Sequence, residues 1–195
     1  MARLNDEFHE FAENATGKYV IKGATLARTI KNANGLFVEC LVGFTVPTGA
    51  TVVVKDLGGN TIAPETDGSY ILNETSYVYT VSKAGHFTKT QQFEVNQADI
   101  TAGTKTIEVT LVKYCVVTFI TTPPATTIVV LDGEDNVIAP TTTGGKVYNL
   151  AQGTYSYTAS ADGYVTKEDE ELVISSGDVT TGTKAVTVTL NEVQG

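Results

Sequence analysis

Two stretches of this chain, Cys40 to Leu111 and Cys115 to Leu190, carry one pattern twice. CLVGFTVP in the first answers CVVTFITTP in the second, GNTIAP answers DNVIAP, YVYTVSKAG answers YSYTASADG, and ITAGTKTIEVTL answers VTTGTKAVTVTL. Agreement at four separated places in one order marks a tandem duplication of a unit under 80 residues long. The offset between the copies grows from 75 at Cys40 and Cys115, through 76 at Pro64 and Pro140 and 78 at Tyr77 and Tyr155, to 79 at Leu111 and Leu190. Each increment is expected in or near a turn, where an extra residue shifts no ladder or core position. The chain then divides into an unrepeated arm over 1–37, a first repeat over 38–113 and a second over 114–195.

Both repeats read as mainly β. Val, Ile, Thr and Tyr abound while Gly, Pro, Asn and Asp punctuate short runs, the signature of a small antiparallel β-sandwich. Alternation assigns the faces. Cys40, Val42 and Phe44 match Cys115, Val117 and Phe119; Tyr77, Tyr79 and Val81 match Tyr155, Tyr157 and Ala159; Ile107, Val109 and Leu111 match Val186, Val188 and Leu190. Apolar positions kept at a period of two form the inward face, which leaves Thr80, Thr158, Thr187 and Thr189 toward water. The unbroken apolar runs Val52 to Val54 and Ile128 to Val130 suit a central strand covered on both sides. Leu57-Gly58-Gly59-Asn60 and Gly133-Glu134-Asp135-Asn136 supply the residues of tight hairpins. Pro64 and Pro140 cannot donate to a ladder and belong at a strand end or sheet edge.

In the second copy, Ile138-Ala139-Pro140, Gly153-Thr154-Tyr155-Ser156-Tyr157 and Gly163-Tyr164 give an ordered set of motifs, matched more loosely by Ile62-Ala63-Pro64, Tyr77, Tyr79 and Gly85-His86 in the first. The set resembles the small bacterial β-sandwich modules of the PEGA and carboxypeptidase-regulatory-like group, immunoglobulin-like in the broad sense. That resemblance spans residues 38 to 192 and implies binding, spacing or surface display, with no active site to carry over.

In the arm, Leu4, Phe8 and Phe11 fall at i, i+4 and i+7, so a short amphipathic helix is expected over 6–15 with Asn5 as its cap. A second helix is expected from Leu26 to Ala33, with Leu26 and Ile30 on one side and Asn34-Gly35 as its stop. Helices this short are marginal alone and need a partner, either the first sandwich or another molecule. Leu4, Phe8, Phe11, Leu26 and Ile30 are therefore the candidate partner-binding residues.

Charge separates the parts. The arm carries five bases and four acids, a net +1, and the whole chain is −9, which leaves −10 for the repeats. An acidic pair of sandwiches lacks the basic footprint that nucleic-acid binding needs. The run Glu168-Asp169-Glu170-Glu171 reads as a solvated edge rather than a calcium site, because adjacent strand residues diverge. Cys40 and Cys115 occupy equivalent inward positions in separate modules and are expected as buried free thiols.

No cofactor or metal is expected. His9 and His86 sit in no zinc-ligand pattern, and Gly144-Gly145-Lys146 lacks the upstream Gly and following Ser or Thr of a phosphate loop. Lys113 and Asn191 flank the strands of copy two in a manner similar to pilin-type domains with internal isopeptide bonds, but copy one lacks both residues. The reading is therefore non-enzymatic.

The N-terminus shows no apolar signal segment, and no stretch approaches the ~20 apolar residues of a membrane span. A protein made in the cytoplasm yet built like an outward-facing one is expected to be a bacteriophage virion component, released by lysis. The leading expectation is a capsid or tail decoration or head fibre, bound to other virion proteins or to further copies of itself through the arm. The alternative is an adhesion module in which Tyr148 and Tyr164 stack on host-surface glycans.

Overall fold

The computed structural model describes residues 11–13, 19–21 and 39–194. The chain divides into two compact units, Met1–Ala84 with Thr88–Leu111, and Gly85–Phe87 with Val112–Gly195.

In the arm, β1 (Phe11–Glu13) pairs antiparallel with β2 (Tyr19–Ile21). A strand thus stands where the end of the 6–15 helix was expected. Phe, Tyr, Val and Ile are the residues that favour strands, and so short a helix has little propensity of its own to set against them. The second expected helix, with Leu4, Phe8, Leu26, Ile30 and the side chain of Phe11, lies outside the described residues.

The first repeat runs β3 (Glu39–Thr45), β4 (Thr51–Asp56), β5 (Thr61–Ile62), β6 (Tyr70–Asn73), β7 (Thr75–Ser82), β8 (Lys89–Val95), α1 (Gln97–Ala102) and β9 (Thr104–Glu108). The second repeats it as β10 (Cys115–Thr122), β11 (Thr127–Leu131), β12 (Val137–Ile138), β13 (Val147–Leu150), β14 (Gly153–Ser160), β15 (Lys167–Ile174), α2 (Ser176–Thr181) and β16 (Thr183–Thr189). Each repeat folds into a three-stranded sheet, β6-β3-β9 or β13-β10-β16, and a four-stranded sheet, β5-β4-β7-β8 or β12-β11-β14-β15. Pairing is antiparallel except between the first and last strands, β3 with β9 and β10 with β16, which run parallel.

The inward positions read from alternation form the two cores. In the second repeat Cys115, Val117 and Phe119 of the small sheet meet Ile128, Val130, Tyr157, Ala159 and Ile174 of the large one. In the first, Cys40, Val42, Tyr77, Tyr79 and Val81 are buried, with Phe44, Ile107 and Leu111 packed against them. Both cysteines are buried and free. A tyrosine links the sheets in each repeat: the Tyr70 hydroxyl donates to the Val52 carbonyl at 3.1 Å and the Tyr148 hydroxyl to the Ile128 carbonyl at 2.8 Å.

Two expectations are corrected. Val54 and Val130 are buried, but Val129 is 37% exposed and Thr127 lies on the same outward side. The large sheet has one face on the core and one in water, because a two-layer sandwich has no third layer to cover it. The growth of the offset is only partly a matter of loops. Val52 pairs with Val81 and Ile128 with Ala159, so the offset is 76 there, one residue having entered between β10 and β11. Two more enter before Tyr148, which answers Tyr70 at 78. The last lies inside β15: β8 pairs evenly with β7, whereas β15 is bulged between the Tyr157–Glu170 and Ala159–Lys167 pairs, with Asp169 at φ 51°. A bulge absorbs a residue within a strand without turning its flanks inside out.

Tyr148→Phe keeps the ring and removes the donor between the sheets. It is expected to destabilise the second repeat by about 1 kcal/mol, read as a lower urea midpoint with an unchanged slope. An unchanged midpoint would mean the hydroxyl contributes nothing to holding the sheets together.

Candidate functional site

Several polar groups common to both repeats are engaged in keeping the fold. Asn96 caps α1 by accepting from the Asp99 N–H at 3.0 Å, and the Asp99 carboxylate accepts from the Asn96 N–H at 3.0 Å. Ser175 and Asp178 do the same for α2. Each helix ends on a glycine in the left-handed region, Gly103 at φ 74° and Gly182 at φ 85°. A lysine two residues further on returns to the cap: Lys105 Nζ lies 2.7 Å from Asp99 and Lys184 Nζ 3.0 Å from Asp178. The Lys105 ammonium, then the Asn96 N–H, hold the Asp99 carboxyl below the usual carboxylate range. The Ser175 N–H and hydroxyl, then Lys184, lower Asp178 to about 2.

At the hairpin between the first two strands of the large sheet, Asp56 accepts from Asn60 N at 2.8 Å and Nδ2 at 2.9 Å. Asp132 accepts from Asn136 N and Glu134 N, both at 2.9 Å. These bonds hold both aspartates below their ordinary pKa. Burial raises the thiol pKa of Cys40 and Cys115, which disfavours the thiolate form. Among the described residues no three His, Cys, Asp or Glu side chains converge as a metal site, and no helix is long and apolar enough to cross a membrane.

The residues that the repeats do not share make a different feature. The second repeat has a cleft of about 450 Å³ between strand β11, edge strand β12, the loop that carries Gly144 to Lys146 and the turn at Pro124 to Thr126. The loop is tight: Gly144 has φ 69°, and a Cβ on Gly145 would come within 2.8 Å of the Thr142 carbonyl oxygen. From it the Lys146 ammonium reaches across to the Thr121 hydroxyl at 2.6 Å and to the Pro124 carbonyl. Val129 and Val137 line the cleft, and Val137 is 69% exposed.

The structure separates the two tyrosines read as glycan contacts. Tyr148 is 1% exposed and forms the cleft floor from within the core, so it offers no face for stacking. Its spacing from Leu150, which matches Tyr70 and Leu72, put both on the inward side of a strand. Tyr164 is half-buried against the same core, where its backbone bridges to Glu192. Lys113 and Asn191 are also held apart. Val116 pairs with Thr183 and Thr122 with Thr189, so Lys113 precedes one end of the parallel pair and Asn191 follows the other. The six residues between those ends span roughly 20 Å, beyond the reach of a lysine side chain.

Sequence reasoning missed the two capped helices, the Asp–Asn turn locks and Lys146. The first two had readable signals, Asn96-x-x-Asp99 with Ser175-x-x-Asp178, and an Asp four residues before an Asn in both hairpins. Lys146 had none, since it acts through a loop that is two residues longer in the second repeat than in the first.

No protein-family model and no curated protein matches this chain. A solved structure, the Bacillus anthracis TIE protein, is similar to it at 13% identity and a TM-score of 0.28, over 90% of this chain and 41% of that one. The chain therefore spans about two fifths of that protein's length.

The caps make stability pH-dependent in a definite direction. A carboxyl with a depressed folded pKa contributes stability that is fully present above its ordinary value of 3.8 and is lost as pH falls toward about 2. The melting temperature is expected to drop across that interval. Asp178→Asn should flatten the drop for the second repeat, and an equally steep drop in the variant would show that other carboxylates control it.

Proposed function

We propose that this protein is a non-enzymatic structural and display protein. Its two immunoglobulin-like modules serve as a stalk, held at one end by the N-terminal arm, and the leading setting is a bacteriophage virion, as a capsid or tail decoration or head fibre. The observation that carries the stalk reading is the parallel pairing of first and last strands. In each module the chain enters at one end of the small sheet and leaves at the other, the connectivity of a unit that spaces what lies on either side of it. The engagement of the shared aspartates, lysines and tyrosines in caps, turns and core supports the same reading. It supports an architectural role for the repeat, and attachment is assigned in this reading to the part that is not repeated. The acidic charge of the repeats keeps neighbouring copies apart at a crowded surface.

A chain starting at Leu36 tests the anchor. Both sandwiches are expected to remain folded while association with the particle, or with further copies, is lost. Association that survives the truncation would overturn the role of the arm.

Pulling tests the stalk. Force applied through the two ends of the second repeat loads all rungs between β10 and β16 in shear at once. Force applied through a linkage at Ala125 and the C-terminal end opens the same rungs one after another. Forced unfolding follows the barrier to unfolding, so the first geometry is expected to withstand the higher force. Equal forces in the two geometries would remove the mechanical argument.

A further inference from the structure

Three of the four residues by which the second repeat exceeds the first enter at two places, the turn before β11 and the loop before Tyr148. Both segments are walls of the cleft. Divergence after duplication was therefore not spread over the module's loops but concentrated around one concavity. The lengthened loop also carries Lys146, the only charged side chain that lines the cleft among the described residues.

Three features define what the cleft accepts. Its size lies in the range of small-ligand sites, ~300–1,000 Å³. About half of its exposed lining is apolar, with Val129, Val137, Ile138 and Pro140 forming an aliphatic side and no exposed aromatic face, which suits a hydrocarbon body better than a sugar ring. Its cation has no carboxylate partner among the described residues. Two acceptors, the Thr121 hydroxyl and the Pro124 carbonyl, use two of its three N–H donors and neutralise none of its charge. An ammonium beside an aliphatic wall in an otherwise acidic module is complementary to one negative group on an apolar body. We propose that the cleft of the second repeat binds an aliphatic carboxylate, supplied either as a free acid or as the C-terminal residue of a peptide. The site is independent of the stalk reading, and the first repeat lacks the inserted residues that build it.

The test uses the full chain and three probes: octanoate, an acetylated tripeptide ending in leucine with a free carboxylate, and the same tripeptide as its amide. Amide-resolved NMR titration is expected to show saturable shifts at Ile138 and Gly144 to Lys146 with one or both carboxylates. The probe that saturates identifies the source. The amide should bind ~10-fold more weakly, the scale of a lost charge-assisted contact. Lys146→Met should lose binding to a similar degree. Because Lys146 also braces the Pro124 turn, Val137→Asp provides the second variant. It places a negative charge on an exposed rim position that supports nothing in the core, and should abolish binding with an unchanged melting temperature. The proposal is overturned if no carboxylate gives saturable shifts, if acid and amide bind alike, or if Val137→Asp binds as the parent does.

Discussion

The constraint on which each repeat rests is that its last strand must lie parallel to its first. An antiparallel neighbour can be reached by a tight turn, but a parallel one requires the chain to cross from one sheet to the other and come back in the same direction. Here β8 and β15 deliver the chain at the edge of the large sheet, and β9 and β16 begin beside the starts of β3 and β10 in the small one. The return from the large sheet to the small one is made by a six-residue helix. A helix that short has no stability of its own, so its ends must be fixed from outside. The capping box satisfies donors at the start, the left-handed glycine turns the chain at the finish, and the lysine of the next strand ties that strand to the cap. One aspartate in each repeat thus joins helix start to strand start. The close spacing of Asp, Gly and Lys, identical in Asp99-Gly103-Lys105 and Asp178-Gly182-Lys184, is what the duplication preserved most faithfully in this region.

What the sequence revealed and what it hid follow from the period of the signal. Strand faces were legible because alternation repeats every two residues, so even a four-residue strand such as Tyr70–Asn73 shows it. The same logic was available for Tyr148 and Leu150, and reading that tyrosine as a surface platform ignored it. The helices were hidden because six residues hold fewer than two turns, too few for a period of 3.6 to show. Only their caps were legible. The bulge in β15 was hidden because Glu168 to Glu171 are acidic on both faces, so there was no alternation for the extra residue to interrupt. In the arm, three apolar residues at helical spacing were outweighed at Phe11–Glu13 by strand pairing.

The uneven divergence of the copies has a physical basis. A core position cannot change without moving partners in both sheets, and Cys40, Val42, Cys115 and Val117 show how little these positions have drifted. Turns between strands carry no such coupling, and their lengthening costs little closure entropy. Two turns that flank the same sandwich edge can then lengthen together and enclose space between them, as those around Pro124 and Gly145 do. New binding capacity arises at low cost to stability, with the parallel clamp and capped crossover untouched.

A chain of paired sandwiches faces one further requirement, which is that its open edges must not pair with those of its neighbours. Each large sheet ends on one side in a strand of two residues, Thr61–Ile62 or Val137–Ile138, with a proline two positions beyond that has no N–H to offer. Its other edge is long, β8 or β15, and needs a different defence. In the first repeat Lys89, Gln91, Gln92 and Glu94 crowd it with polar side chains. In the second the acidic run adds like charge, and the bulge at Asp169 bends the strand out of the flat register another edge would need. The residue that lengthens β15 thus acts with the acids on either side of it. The copy with the greater negative charge is also the one whose long edge is geometrically broken, and both changes oppose association through the sheet.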